Sequence, residues 1–109
     1  MPTAEGNIRH TSGGRLNATF NVGGINYHFS GAFTSSVQPF NTNNASVTYT
    51  DVRALTNTRT FFGRIGPDNI QLTLQNSVSI QGTLDFPIFP GASVSGSGVW
   101  GQNFDEDSD

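Results

Sequence analysis

His28 is the residue with the most informative surroundings for chemistry, because polar and apolar residues alternate around it. In that alternation His28 shares a polar phase with Asn17 and Thr19. Amide, hydroxyl and imidazole groups can each donate and accept hydrogen bonds. The pattern therefore predicts a polar face that binds a hydroxyl-rich ligand such as a carbohydrate. The alternative is a solvated outer face whose side chains hydrogen-bond to each other across strands.

Trp100, the sole tryptophan, is the second candidate for a ligand contact. A tryptophan at a strand end beside Asn103 would stack on a sugar ring, since indole combines an apolar face with a polar N–H. The phase that Trp100 shares with Val94 fits a core position as well. The predicted ligand-binding residues are Trp100, Asn103, His28, Thr19 and Asn17.

The sequence contains no arrangement typical of an enzyme or a metal site. It has no cysteine, which excludes disulfides, thiol nucleophiles and zinc thiolates. Asp51 and Asp85 have no spacing that would bring two carboxylates together. The acidic run at 105–109 has no glycine for the sharp turn of a calcium loop. We therefore predict a non-enzymatic protein with no cofactor and no bound metal.

Charge is scarce, and this bears on the choice of partners. Charged residues make up 12% of the chain, the net charge is −3 and lysine is absent. About 25% charged residues is ordinary. Scattered arginines do not form the basic patch that nucleic acids require, so no nucleic-acid partner is predicted. No apolar run is long enough for a membrane span, and the first residues lack the features of a leader. The sequence does not indicate a cellular compartment.

A hairpin at residues 15–33 is the clearest structural signal. Apolar residues occupy every second position on both sides of Gly23-Gly24. A Gly-Gly pair suits the two positive φ angles of a type I′ turn. With these glycines as the loop, Asn17 faces Ser30, Thr19 faces His28 and both apolar sets fall on one side. This agreement predicts the strand register as well as the hairpin.

The remaining alternation predicts an all-β fold, an antiparallel β-sandwich or small β-barrel of about seven or eight strands. Further strands are expected as a short piece near Ile8 and at 47–55, 58–65, 70–74, 78–86 and 92–100, with a loop at 35–44. Residues 1–103 form a single predicted domain, and 104–109 an acidic tail. The predicted core consists of Leu16, Phe20, Val22, Ile25, Tyr27, Phe29, Phe33, Val47, Tyr49, Ile70, Leu72, Leu74, Val78, Ile80, Leu84, Phe86 and Val94.

Two further features concern sheet edges and strand packing. Few charges are present to blunt exposed edges, so the edges are expected to be closed, covered or paired with another subunit. This predicts a homo-oligomer.

Gly31, Gly82 and Gly96 fall on buried faces, where glycine makes room for a neighbouring ring or allows strong coiling of the strand.

Together these features favour a lectin-like module that binds carbohydrate through its polar amide and hydroxyl face. One alternative is a structural or assembly subunit that self-associates through sheet edges. Another is a small barrel that holds an apolar ligand in its interior.

Overall fold

The computed structural model describes residues 2–11, 14–34, 37–75 and 77–104, and it confirms the all-β class. Within these residues, eight strands are joined by turns, loops and one short 3-10 helix at Val52–Ala54. The strands are β1 (Thr3–Thr11), β2 (Arg15–Val22), β3 (Ile25–Phe33), β4 (Asn41–Thr48), β5 (Thr58–Ile65), β6 (Asn69–Leu74), β7 (Val78–Thr83) and β8 (Ala92–Phe104).

The strands form one closed antiparallel barrel in the order β1-β2-β3-β8-β5-β6-β7-β4. The pairing of β4 with β1 closes the sheet, and β4 carries one extra residue there, between Thr42 opposite Ile8 and Ala45 opposite Gly6. Every strand consequently has two neighbours, and the barrel leaves no open sheet edge. The low charge of the chain therefore needs no second subunit to explain it, and self-association stays a prediction.

The hairpin has the predicted turn and register. Gly23 and Gly24 have φ angles of 63° and 88°, which suit the two-residue loop. Asn17 lies opposite Ser30, and Thr19 lies opposite His28. Because β3 pairs next with β8, the outer face of the hairpin continues directly onto the outer face of β8.

Aromatic rings fill the middle of the barrel. The ring of Phe29 lies 4.9 Å from that of Trp100 and 5.9 Å from that of Phe61, between ring centroids. Glycines make this packing possible, because a Cβ at Gly96 would lie 2.8 Å from Cζ of Phe61. A Cβ at Gly98 would lie 2.8 Å from Cζ of Phe29. The inward glycines of β8 thus provide room for neighbouring rings.

The predicted core is largely confirmed, with one clear error at Phe86. Val22, Ile25 and Phe33 are only partly buried, but they pack against the core. The side chain of Phe86 is 76% exposed. Strand β7 ends at Thr83, so the alternation that predicted burial does not extend to Phe86. Large core residues absent from the prediction are Ile8, Phe40, Leu55, Phe61, Ile65, Ile88 and Trp100.

The segment from residue 35 to residue 55 also differs from the prediction. Residues 41–44 belong to β4 rather than to a loop, and the strand ends at Thr48 rather than near Leu55. Thr42 takes an inward position usually held by an apolar residue, and its hydroxyl donates to the carbonyl of Thr83. The short polar side chains of β4 therefore concealed the strand.

Asp51 caps the 3-10 helix that follows β4. Its carboxylate accepts hydrogen bonds from the backbone N–H and the guanidinium of Arg53, with Nη2 2.8 Å from Oδ2. The side-chain hydrogen bond from Arg53 is the main reason that the pKa of Asp51 falls to about 2. The next residue after this helix, Leu55, is fully buried.

At the C-terminal end, β8 runs through Phe104, one residue beyond the predicted domain boundary. The acidic residues 105–109 lie outside the described residues.

Replacing Gly96 by alanine tests the close packing of the barrel. The added Cβ would collide with the carbonyl of Ala32 and approach the Phe61 ring, so we expect a loss of about 1–3 kcal/mol in unfolding free energy. Gly101 is the matched control, because a Cβ there has no neighbour within 4 Å. Denaturant unfolding of both variants measures the difference. Equal stability of the two would contradict the packing described.

Candidate functional site

The outer face of β2 and β3 brings three of the predicted ligand-binding residues together. The Thr19 hydroxyl oxygen lies 3.0 Å from Nδ1 of His28. One row further along, the Ser30 hydroxyl donates to Oδ1 of Asn17 at 3.0 Å. These hydrogen bonds join residues that are directly opposite each other across the hairpin, and they fix the side chains in position.

A third polar row continues this face towards the hairpin turn. Nδ2 of Asn21 donates to Oδ1 of Asn26 at 3.2 Å, and Oδ1 of Asn21 accepts from the Gly24 N–H at 3.3 Å. Asn103 lies opposite Asn26 in the backbone register of β3 and β8. The backbone therefore places this predicted residue beside the polar face.

Trp100 lies on the other side of the sheet from these residues. Its side chain is only 6% exposed and packs against Phe20 and Phe29 inside the barrel. Its indole N–H is buried and has no hydrogen-bond partner among the described residues. The structure thus does not bring Trp100 to the polar face, and its contact with a ligand stays a prediction.

A groove of about 570 Å³ crosses the outer surface next to the polar rows. It begins at β1 and crosses β2, β3 and β8 to reach β5. Short side chains on the central strands, flanked by longer ones, create the depression. Its lining residues are Thr11, Arg15, Leu16, Asn17, Ser30, Gly31, Ala32, Thr58, Ser97, Gly98 and Val99.

The strand register arranges the outward-facing lining residues in two rows. In the first row Asn17 lies opposite Ser30, which lies opposite Val99. In the second row Arg15 lies opposite Ala32, which lies opposite Ser97. Hydroxyl and amide groups therefore surround a small apolar area in the middle of the groove.

Val99 is the residue of this surface that sequence reasoning missed. Its side chain is 48% exposed on the outer face of β8, whereas its neighbour Trp100 points inward. The signal was present, because Gly96, Gly98 and Trp100 share the inward phase of Val94. An apolar residue in the opposite phase must then face outward.

Clusters of metal-binding side chains and membrane-spanning helices are two other features that would bear on function in the described part of the chain. Within it, no group of three or more histidine, cysteine, aspartate or glutamate residues is close enough to hold a metal ion. None of its helices is long and apolar enough to cross a membrane.

Comparison of this chain with known protein families, curated proteins and solved structures finds no match. The arguments about function consequently start from the geometry of the groove.

The fluorescence of Trp100 tests which side of the sheet it occupies. Because the ring is buried, we expect emission at short wavelength and weak quenching by acrylamide in the native protein. Carbohydrate bound in the outer groove should leave both unchanged. Strong native quenching that a sugar suppresses would instead place Trp100 in the ligand site. Denatured protein is the control for full quenching.

Proposed function

We propose that this protein is a non-enzymatic, lectin-like module that binds carbohydrate in the groove on the outer face of β2, β3 and β8. The observation that carries the proposal is the composition of the groove. Hydroxyl and amide side chains border it, and Ala32 and Val99 provide an apolar area within it. Sugars present the same combination, hydroxyl groups around an apolar ring face.

Asn17 is the side chain best placed to bind a sugar hydroxyl. Its Oδ1 accepts a hydrogen bond from Ser30, which fixes the orientation of the amide. Its Nδ2 has no partner among the described residues, so it can donate to a ligand. A side chain that is already fixed loses less entropy on binding than a mobile one.

The neighbouring pair of Thr19 and His28 extends the same hydrogen-bonding surface. A lectin whose single sites bind weakly does not need a deep pocket, because several shallow sites on one oligomer increase the overall affinity. The predicted homo-oligomer would supply this multivalency.

Substitution of Asn17 tests the proposal. We expect Asn17→Ala to weaken carbohydrate binding by about 2- to 10-fold, the value of one hydrogen bond, with the fold retained. Asn44 is exposed on β4, a strand that contributes no residue to the groove lining. Asn44→Ala is therefore the matched control and should bind like the unmodified protein.

A glycan array identifies the sugar to use, and titration calorimetry measures the dissociation constants. Equal affinities for Asn17→Ala and Asn44→Ala would remove Asn17 from the site. A blank array would contradict the carbohydrate proposal itself.

An assembly subunit is the second candidate, favoured by exposed aromatic residues. Phe62, Phe86 and Phe89 each have more than half of their side chain exposed. With the sheet closed, contacts between copies would use these rings rather than strand edges. A blank array together with a discrete oligomer in native mass spectrometry would favour this candidate.

A further inference from the structure

We infer that the carbohydrate bound in the groove is an acidic one, whose carboxylate or sulfate group is bound by Arg15 and Arg9. This inference rests on the proposed function and specifies its substrate class. It is carried by two adjacent arginines that form no ion pair with any of the described residues.

The two arginines are neighbours on the outer surface. Arg15 lines the groove on β2. Arg9 on β1 lies opposite Asn17, which is two residues from Arg15 on the same face. Such diagonal neighbours on adjacent strands are roughly 7–8 Å apart. Both side chains are exposed, so their guanidinium groups can reach the same bound anion.

Neither arginine has an ion pair within the described residues. The salt bridge found there joins Arg53 to Asp51 next to the 3-10 helix. Arg9 and Arg15 are diagonal rather than directly opposite, and two like charges at this separation repel each other. A bound anion would remove this repulsion, so the arrangement favours an anionic ligand.

None of the described residues that line the groove has a carboxylate to compete with such a ligand. The carboxylate of Asp85 lies outside the groove lining and has partners of its own. It accepts hydrogen bonds from the N–H and from Nδ2 of Asn43 on β4, each at 3.1 Å. Strand β4 is separated from β2 by β1. The net charge of the chain is −3, so Arg9 and Arg15 form a positive pair in a protein that is negative as a whole.

The geometry matches the chemistry of acidic sugars. A guanidinium binds a carboxylate or sulfate through two parallel hydrogen bonds. The hydroxyls of Ser97 and Thr58 lie further along the groove, where they can bind the hydroxyls of the same chain of sugars. From β1 to β5 the groove crosses four strand spacings, or about 19 Å. Because β1 and β5 are four strands apart in the closed barrel of eight, this length follows the curved outer surface, and it suits an oligosaccharide that bends with that surface.

The test compares three oligosaccharides of equal length: neutral, uronic-acid and sulfated. We expect either or both acidic forms to bind more tightly than the neutral one, with an affinity that falls as salt is added. Arg15→Gln should weaken acidic binding about 10-fold and remove most of the difference in affinity between acidic and neutral oligosaccharides. Comparison of the uronic-acid and sulfated oligosaccharides shows whether the arginines bind a carboxylate or a sulfate group.

Arg64→Gln is the matched control, since it removes the same charge from an exposed position on β5 outside the groove lining. It should retain acidic binding within about 2-fold. Equal binding of acidic and neutral sugars, or equal losses in the two variants, would overturn this inference. If neutral sugars still bind and Asn17→Ala weakens them, the proposed function stands without it. Binding of none of the sugars would overturn both.

Discussion

Closure of the sheet by the pairing of β1 with β4 is the constraint on which the rest of the structure depends. It gives every strand two neighbours, so the backbone groups of each strand pair on both sides. Open sheet edges are commonly protected by charged residues, and this chain has few of them. Closure also divides all side chains into an inner and an outer set. The inner set is a packed core of rings and aliphatic groups. The groove proposed to bind carbohydrate belongs to the outer set.

The same division decides which residues can act together. Trp100 and Val99 are adjacent in sequence, but one packs against Phe29 and the other faces the groove. Arg15, Asn17 and Thr19 alternate with buried residues, so all three point outward from β2. A single-residue shift in the register of β2 would move them into the core. The tight Gly-Gly turn that sets this register thus also positions the candidate site.

The hairpin and its polar rows could be predicted because their signals are local. Alternation and turn type together specify which residues face each other, and His28 opposite Thr19 follows from them. The pairings of β1 with β4 and of β3 with β8 join distant segments, and no local pattern specifies them. The groove depends on the second of these pairings, so its extent could not be predicted. Phe86 was misassigned because alternation persists in sequence beyond the end of β7.

Carbohydrate binding in the outer groove is the central claim, and backbone amide NMR of the labelled protein tests it most directly. During titration with an oligosaccharide that binds, shifts should concentrate at Asn17, Ser30 and Val99, the row that crosses β2, β3 and β8. The amides of β7, on the opposite side of the barrel from β3, should remain unchanged. Shifts confined to the loop around Phe86, or to β7, would contradict the account.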